Sequence, residues 1–463
     1  MAMNLYWYRN KYLIELNRIP KEFDFKFGRN NFIAILQNNS RKRETIMKKK
    51  VLSTVLAAAT CLSMLAGCTS SNEGANQNAN GTDAGNTQTE GGEAVSASDI
   101  KIGVIYIGDE NEGYTAAHME GIDQMQAALG ISDDQVIEKT LVPEDESCTD
   151  AAEDMVDQGC NVIFATSFGH ESYLMQVAAE HPEIQFCHAT GYQAASSGLS
   201  NFHNYFDNIY EARYVSGVVA GLKLNEMISD GKITEDDCKV GYVGAYPYAE
   251  VVSGFTSFYL GVTSVCPTAT MEVQYTNSWA DMTAEGEVAT QLIADGCVLM
   301  SQHADTTGAP TACESAGVPC VGYNVDMTTV APTCALTSAT NSWGVYYTYA
   351  VQSVLNGEAM PADWTAGYGE GAVAITALND AAVAEGTADK VAEIEKALAD
   401  GTLHVFDTSK FTVGGKSLED AIAEGGDYAK YADYVSDGYF HESELASAPA
   451  FDIIIDGITS NAN

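Results

Sequence analysis

The sequence predicts an α/β protein built as two doubly wound lobes, and three observations carry that expectation. Short apolar runs alternate with amphipathic segments from Ile100 to Ala377, the pattern of parallel sheets covered by helices on both faces. Strand runs such as Ile100–Ile107 (IKIGVIYI) are apolar at odd and even positions alike, as strands buried on both faces must be. At 463 residues, the chain is about three times the length of a typical single domain, so one sheet does not account for it.

The elements follow in order. Ile100–Ile107 reads as a central strand. The helix Tyr114–Leu129 places Ala117, Gly121, Ile122, Met125 and Leu129 at helical spacing. Strand Gln135–Leu141, helix Cys148–Gln158, strand Asn161–Ala165, helix His170–His181 and strand Ile184–His188 continue the series. After Phe202–Phe206 comes a long helix, Tyr210–Met227. The second half repeats the pattern as strand Lys239–Val243, helix Ala249–Val265, strand Met271–Tyr275, helix Ala280–Ala294, strand Cys297–Met300, helix Ala309–Ala316 and strand Pro319–Gly322. Strand Cys334–Ser338, helix Trp343–Leu355 and the apolar run Ala372–Ala377 close it. The expected division is a first lobe of residues 99–207 plus 336–377, a second lobe of 208–335, and a C-terminal helix and acidic tail over 378–463 packed on the lobes. Within that tail, Gly401–Lys416 reads as short strands, Ser417–His441 as a helix and Phe451–Ile455 as an edge strand. Surface decoration is the favoured reading of the whole tail.

Composition narrows the function. The chain is 46% apolar and 19% charged, enough to bury cores and unlike a polytopic membrane protein. Of its 23 Lys and Arg, 12 lie in the first 67 residues, leaving 11 basic against 59 acidic residues from Cys68 onward. A net of −48 over that stretch repels nucleic acid. A ligand for such a surface is neutral or cationic.

The N-terminal hundred residues read as an address. Residues 1–46 match no usual leader, and an upstream start codon read in error is the expected reason. Residues 47–67 carry a basic stretch at Lys48–Lys50, an apolar run from Val51 to Leu65 that is short for a membrane span, and small residues before Cys68. This resembles a bacterial lipoprotein signal, in which Cys68 is acylated and the protein is anchored to the extracytoplasmic face of the cell membrane. Residues 69–98 lack aromatic residues and read as a flexible tether over 68–98. The nine cysteines from Cys148 to Cys334 show no metal spacing and read as small core residues. No metal or cofactor is expected.

In open parallel sheets, ligands bind beyond the carboxyl ends of the strands, so the residues just past each strand are the informative ones. They are Asp109 and Tyr114; Phe168; Tyr192; Tyr246; Asn277 and Trp279; Gln302, His303 and Asp305; Asp326; and Asn341 and Trp343. Aromatic rings paired with uncharged donors and acceptors fit a planar, neutral, hydrogen-bonding ligand. No nucleophile elbow, phosphate loop or zinc-protease spacing occurs, so an enzyme is not expected.

Eight stretches in order then resemble one family: GDENEGYTAAHMEG from Gly108, FATSFG from Phe164, HATGY from His188, EARYVSGVVAG from Glu211, GYVGAYPYAEVVSG from Gly241, SQHAD from Ser301, GYNVDM from Gly322 and NSWGVYY from Asn341. They resemble the basic membrane protein family, the PnrA-like substrate-binding lipoproteins of ABC importers, over roughly Ile100 to Asp400. The resemblance implies a type I periplasmic-binding-protein fold that holds a purine base or nucleoside between hinged lobes, with permease and ATPase subunits as partners. Carried over, Tyr114 stands at a ligand-facing aromatic position, flanked by Asp109 and His118. Phe168 and Tyr246 are further stacking positions, and Asp305 and Asp326 are the acidic ones. This sequence departs from the nucleoside-binding branch at Thr337–Asn341, where the lysine is missing, and at Asn324, where an acid is missing. Those losses favour a free purine over a nucleoside. A lipoprotein that reports a ligand to a membrane receptor or kinase is the alternative.

Overall fold

The computed structural model describes residues 94–461. The signal, Cys68 and most of the tether lie outside the described residues.

The first sheet is built from β1 (Ile102–Ile105), β2 (Val136–Lys139), β3 (Val162–Ala165), β4 (Gln185–Ala189) and β5 (Phe202–Tyr205), in the order β5-β4-β3-β1-β2 and parallel throughout. Every residue of β1, β3 and β5 is buried, whereas the edge strand β2 is only half-buried. That accounts for the unbroken apolar runs of the central strands. Helices α1 (Gly113–Leu129), α2 (Glu146–Asp157), α3 (Glu171–Glu180) and the short α4 (Ala194–Ser197) connect them.

The second sheet repeats the same order. After α5 (Ile209–Ser229) come β6 (Lys239–Gly244), α6 (Ala249–Val265), β7 (Thr270–Tyr275), α7 (Met282–Ala294), β8 (Leu299–His303), α8 (Gly308–Ala316), β9 (Cys320–Tyr323) and β10 (Ala335–Asn341), arranged β10-β9-β8-β6-β7. The expected return of residues 336–377 to the first lobe is corrected here. Strand β10 pairs in parallel with β9 as the fifth strand of the second sheet, the counterpart of β5 in the first. Only after β10 does α9 (Gly344–Asn356) cross over to pack against α1. The chain then adds β11 (Asp363–Trp364) to β5 in the first sheet and β12 (Val373–Ile375), antiparallel, to β10 in the second.

The chain therefore passes between lobes three times, at residues 205–209, 340–344 and 365–372. Hydrogen bonds tie the crossings together. Thr365 Oγ1 donates to Asn208 Oδ1 at 2.6 Å, and the Ser342 amide donates to the Ala372 carbonyl at 2.7 Å.

Helices α5 and α6 cross at unusually close range. A Cβ on Gly217 would sit 2.1 Å from the Phe258 carbonyl oxygen, and one on Gly261 would sit 2.1 Å from that of Tyr214. Both glycines in EARYVSGVVAG, Gly217 and Gly221, are thus contact points between helix backbones.

The C-terminal extension is not surface decoration. Beyond α10 (Thr387–Ala399), Phe406, Phe411, Leu418, Tyr431, Phe440, Phe451, Ile453 and Ile455 are buried in the same core as α5, α6, β6 and β7. The expected helix over Ser417–His441 is limited to α11 (Leu418–Glu424), followed by a two-residue hairpin, β13 (Val435–Ser436) with β14 (Tyr439–Phe440). Gly425 and Gly426, both at positive φ, end the helix. The edge strand is β15 (Ile458–Asn461), paired in parallel with β7, and not the run Phe451–Ile455, which is spent in the core. All nine cysteines from Cys148 to Cys334 are buried, free thiols.

Candidate functional site

In each sheet the strand order reverses at a switch point, beside β1 in the first and beside β6 in the second. The loops leaving β1, β3, β6 and β8 meet across the lobes. The Gly113 amide of the first lobe donates to the Asp305 carbonyl of the second at 3.0 Å, which places the turns where ligands bind in such sheets in one interlobe space.

On the first-lobe side, Glu112 caps α1 by accepting from the amides of Tyr114 and Thr115 at 2.6 and 2.9 Å. This fixes Tyr114, whose hydroxyl donates to the Thr166 carbonyl beyond β3 at 2.6 Å. One turn on, the His118 ring stacks on Trp343 with centroids 4.1 Å apart, and its Nδ1 lies 2.7 Å from the Tyr347 hydroxyl. Burial lowers the His118 pKa well below the ordinary range, so the ring is neutral.

On the second-lobe side stands Arg213, the only arginine after residue 67. It is fully buried on α5, donates Nη1 to the Gln302 carbonyl at 2.6 Å, and lies 3.7 Å from the centroid of the Tyr323 ring. His303 packs edge-on to Tyr323 and places Nε2 3.3 Å from Glu250 Oε1. Asn324 donates Nδ2 to Asp305 Oδ1 at 2.9 Å. Burial pushes Glu250 up to about 7, opposed by Arg213. Asp305 is raised well above its ordinary value by burial and then by Glu112, Glu285 and Glu250. Asp207, in the first crossing, is raised by burial alone.

Several buried polar atoms here have no hydrogen-bond partner among the described residues: both amide atoms of Asn341, Trp343 Nε1, the Tyr323 hydroxyl and both carboxyl oxygens of Asp207. Buried polar groups are nearly always satisfied. Asn341 stands at the end of β10, two residues before Trp343. Tyr323 and Trp343 share a packed cluster with Tyr114. The arrangement offers hydrogen-bonding edges among aromatic walls.

A second set of rings lies further out. Phe168 and Tyr192 of the first lobe stack with centroids 6.2 Å apart. Tyr246, Tyr248 and Trp279 of the second lobe pack together, with Tyr246 and Tyr248 stacked nearly parallel at 5.0 Å. Phe168, Tyr192 and Tyr248 are 40–57% exposed, in contrast to Tyr114 and Trp343.

The sequence-predicted residues thus divide. The structure brings together Tyr114, His118, His303, Asp305, Asn341 and Trp343 around the interlobe space, and Phe168, Tyr192, Tyr246 and Trp279 at its mouth. The other four are spent elsewhere. Asp326 is exposed and caps a turn by accepting from the Thr328 amide. Gln302 folds back onto the carbonyls of Ala304 and Thr306. Asn277 is exposed at φ 58° in the loop after β7, and Asp109 accepts from Asn111 in a local turn. Sequence reasoning passed over Arg213, Glu250, Asp207 and Tyr248. A lone arginine inside an apolar helix of a strongly acidic chain was the available signal for the first. Among the described residues, no group of three or more His, Cys, Asp or Glu is placed to hold a metal.

Two doubly wound lobes joined by three crossings, with loops converging at both switch points, define a protein of the type I periplasmic-binding fold. More narrowly, the chain belongs to the PnrA-like family of ABC transporter substrate-binding proteins, whose family model matches residues 100–402. It is 34% identical over 271 residues to a purine-binding protein of Brucella abortus, covering 58% of this chain and 72% of that protein. It is 30% identical over 331 residues to a Haloferax volcanii protein provisionally named an ABC transporter glucose-binding protein, covering 68% and 79%. Among solved structures, solute-binding proteins from Conexibacter woesei and Aeropyrum pernix match with TM-scores of 0.54 and 0.55 at 20% and 16% identity. The first match covers 66% of this chain and 98% of the other, the second 70% and 96%. These structures share the fold. Substrate-binding proteins of ABC transporters act on the extracytoplasmic side, where they hand a small ligand to a permease.

Proposed function

We propose that this protein captures a purine base or purine nucleoside between its lobes for an ABC importer, and that acylation of Cys68 holds it at the membrane. The observation that carries the ligand reading is Asn341. Its amide nitrogen and oxygen are both buried without a partner among the described residues, at the end of β10, two residues before Trp343 and on the strand paired with the one that ends at Tyr323. A carboxamide that offers one donor and one acceptor together matches the edge of a purine, which presents the complementary pair. The aromatic side chains supply apolar surface for the heterocycle's faces. The purine-binding name of the Brucella relative supports the same class.

Lobe closure follows from the geometry. Tyr114 and His118 belong to one lobe and Arg213, Tyr323 and Asp305 to the other, so a ligand that touches both sets binds the closed form more tightly and shifts the population toward it. Asn341 takes the place of the branch's lysine, which removes a cation suited to ribose hydroxyls. A free base is therefore preferred over its nucleoside.

Calorimetric titration with adenine, hypoxanthine, adenosine, inosine and glucose tests the reading. Saturable binding of a purine, tighter than that of its nucleoside, is the expected result. Binding of glucose with no heat from any purine would overturn the ligand class and favour the chemistry named for the Haloferax relative.

A further inference from the structure

Cys238 and Cys266 face each other in the second lobe with their sulfurs 4.0 Å apart. Cys238 directly precedes β6, and Cys266 caps the carboxyl end of α6, donating its amide to the Val262 carbonyl. The backbone holds both in place. The Cys238 carbonyl accepts from the Thr270 amide at 2.9 Å and the Cys266 carbonyl from the Ala269 amide at 3.1 Å. Beside them, the Val265 carbonyl accepts from Asn225 Nδ2 of α5 at 2.8 Å.

Both residues are nearly covered, 2% and 1% exposed, in the core shared by α5, α6 and β7. The cover is thin. Asp236 and Asp237, just before the first, and Pro267 and Thr268, just after the second, are exposed. The other partners of the sulfurs are distant: Cys238 Sγ lies 3.6 Å from the Thr234 carbonyl, and Cys266 Sγ lies 4.0 Å from Thr268 Oγ1. No strong hydrogen bond has to break for the sulfurs to meet, and they need to approach by only about 2 Å to reach bonding distance.

Substrate-binding proteins of ABC transporters work on the extracytoplasmic side, where disulfides form and persist. We propose that Cys238 and Cys266 are a disulfide site, closed in the exported protein by exchange with a disulfide oxidant. One thiolate attacks the oxidant's S–S bond and expels its first thiol. The second thiolate then attacks the mixed disulfide and expels the other. Two protein S–H bonds and the oxidant's S–S bond are exchanged for one protein S–S bond and two oxidant S–H bonds. The chain thus gives up two electrons and two protons, and the oxidant takes them. The bridge joins residues 28 apart in sequence and ties the start of β6 to the end of α6, which restricts the unfolded chain. It lies at the amino end of β6, opposite the turns that meet in the cleft, so the inference stands whichever ligand the cleft takes.

The test is oxidation of the folded, reduced full chain with oxidised glutathione, followed by alkylation in denaturant and peptide mass mapping. A linked pair of peptides containing Cys238 and Cys266 is the expected result. The melting midpoint should rise by a few degrees on oxidation and fall back with dithiothreitol. Cys238→Ser should remove both the linked pair and the rise. Mapping of the wild-type chain decides the matter even where that variant fails to fold. Three outcomes each overturn the proposal. In the first, both cysteines are still fully alkylated after oxidation. In the second, either one is recovered only as a glutathione adduct or bridged to a different cysteine, such as Cys313 or Cys320, whose thiols also meet. In the third, the chain carrying the mapped pair melts no higher than the reduced chain. Loss of purine binding alone would bear on the cleft and leave this site standing.

Discussion

Phe168 and Tyr248 meet across the mouth of the cleft, one from each lobe, with ring centroids 5.9 Å apart. Each continues into its own lobe's stack, Phe168 onto Tyr192 and Tyr248 onto Tyr246. This chain of rings spans the opening and is joined only when the lobes are together. Its energetic role is to hold the closed form, at about 0.5–1.5 kcal/mol for an aromatic pair.

Phe168→Ala should therefore act on release. The dissociation rate of the cleft ligand should rise a few-fold, by about the factor that one aromatic pair corresponds to, while the association rate stays nearly unchanged. Stopped-flow fluorescence resolves the two rates. A drop confined to the association rate would place Phe168 in the encounter step instead.

Tyr114 behaves differently because it is buried and anchored on the Thr166 carbonyl. Tyr114→Ala should weaken purine binding by one to two orders of magnitude, from about 1–3 kcal/mol per stacked base. Tyr114→Phe retains the ring and loses its hydroxyl anchor, so it should cost less. Equal affinities for wild type and Tyr114→Ala in calorimetry would remove this residue from the site.

The lobes were legible in the sequence because burial on both faces leaves no polar position in strands such as Ile102–Ile105 and Val162–Ala165. The strand-end turns were legible for the same reason, since parallel sheets gather their loops at one end. What escaped was the sheet to which a strand belongs. Ala335–Asn341 reads as a strand whichever sheet it joins, and only pairing with Cys320–Tyr323 decides it. Side-chain direction also escaped. Gln302 and Asp326 have the residue type of ligand contacts but satisfy backbone groups nearby. The apolar run Phe451–Ile455 looked like a strand because alternate burial marks edge strands and core-anchoring loops alike.

Asn341 allows a test that separates binding from folding. Leaving both amide atoms buried and unbonded costs stability, about 1–3 kcal/mol per unsatisfied group. Asn341→Leu should therefore match or exceed the wild-type melting temperature without ligand, and should lose most of the stabilisation that a purine gives wild type by mass action. Scanning calorimetry with and without adenine reads both. A variant that melts lower but is stabilised normally by adenine would make Asn341 a structural residue.

The buried acids set the direction of the pH dependence. Glu211, Glu250, Glu285 and Glu442 are each pushed up to about 7 from an ordinary 4.5, chiefly by burial. Between those values the folded chain holds protons that the unfolded chain has released, so each acid makes stability fall as pH rises through that window. Asp207 and Asp305, also raised, act in the same sense. The buried histidines His118, His170, His188, His203 and His303 are all lowered from 6.5, first by burial. Below 6.5 the unfolded chain takes up protons that these rings refuse, so they make stability fall as pH drops. The two groups oppose one another from 4.5 through the titration of the unfolded histidines around 6.5, and above about pH 7 the raised acids, which include Asp207 and Asp305, outweigh the histidines. The melting temperature should therefore be higher at pH 7 than at pH 8. Glu250→Gln, neutral at both values, should reduce the difference. An equal or higher midpoint at pH 8 would mean that these carboxyl groups keep their charge in the folded chain, and that the Arg213 guanidinium beside Glu250 outweighs its burial.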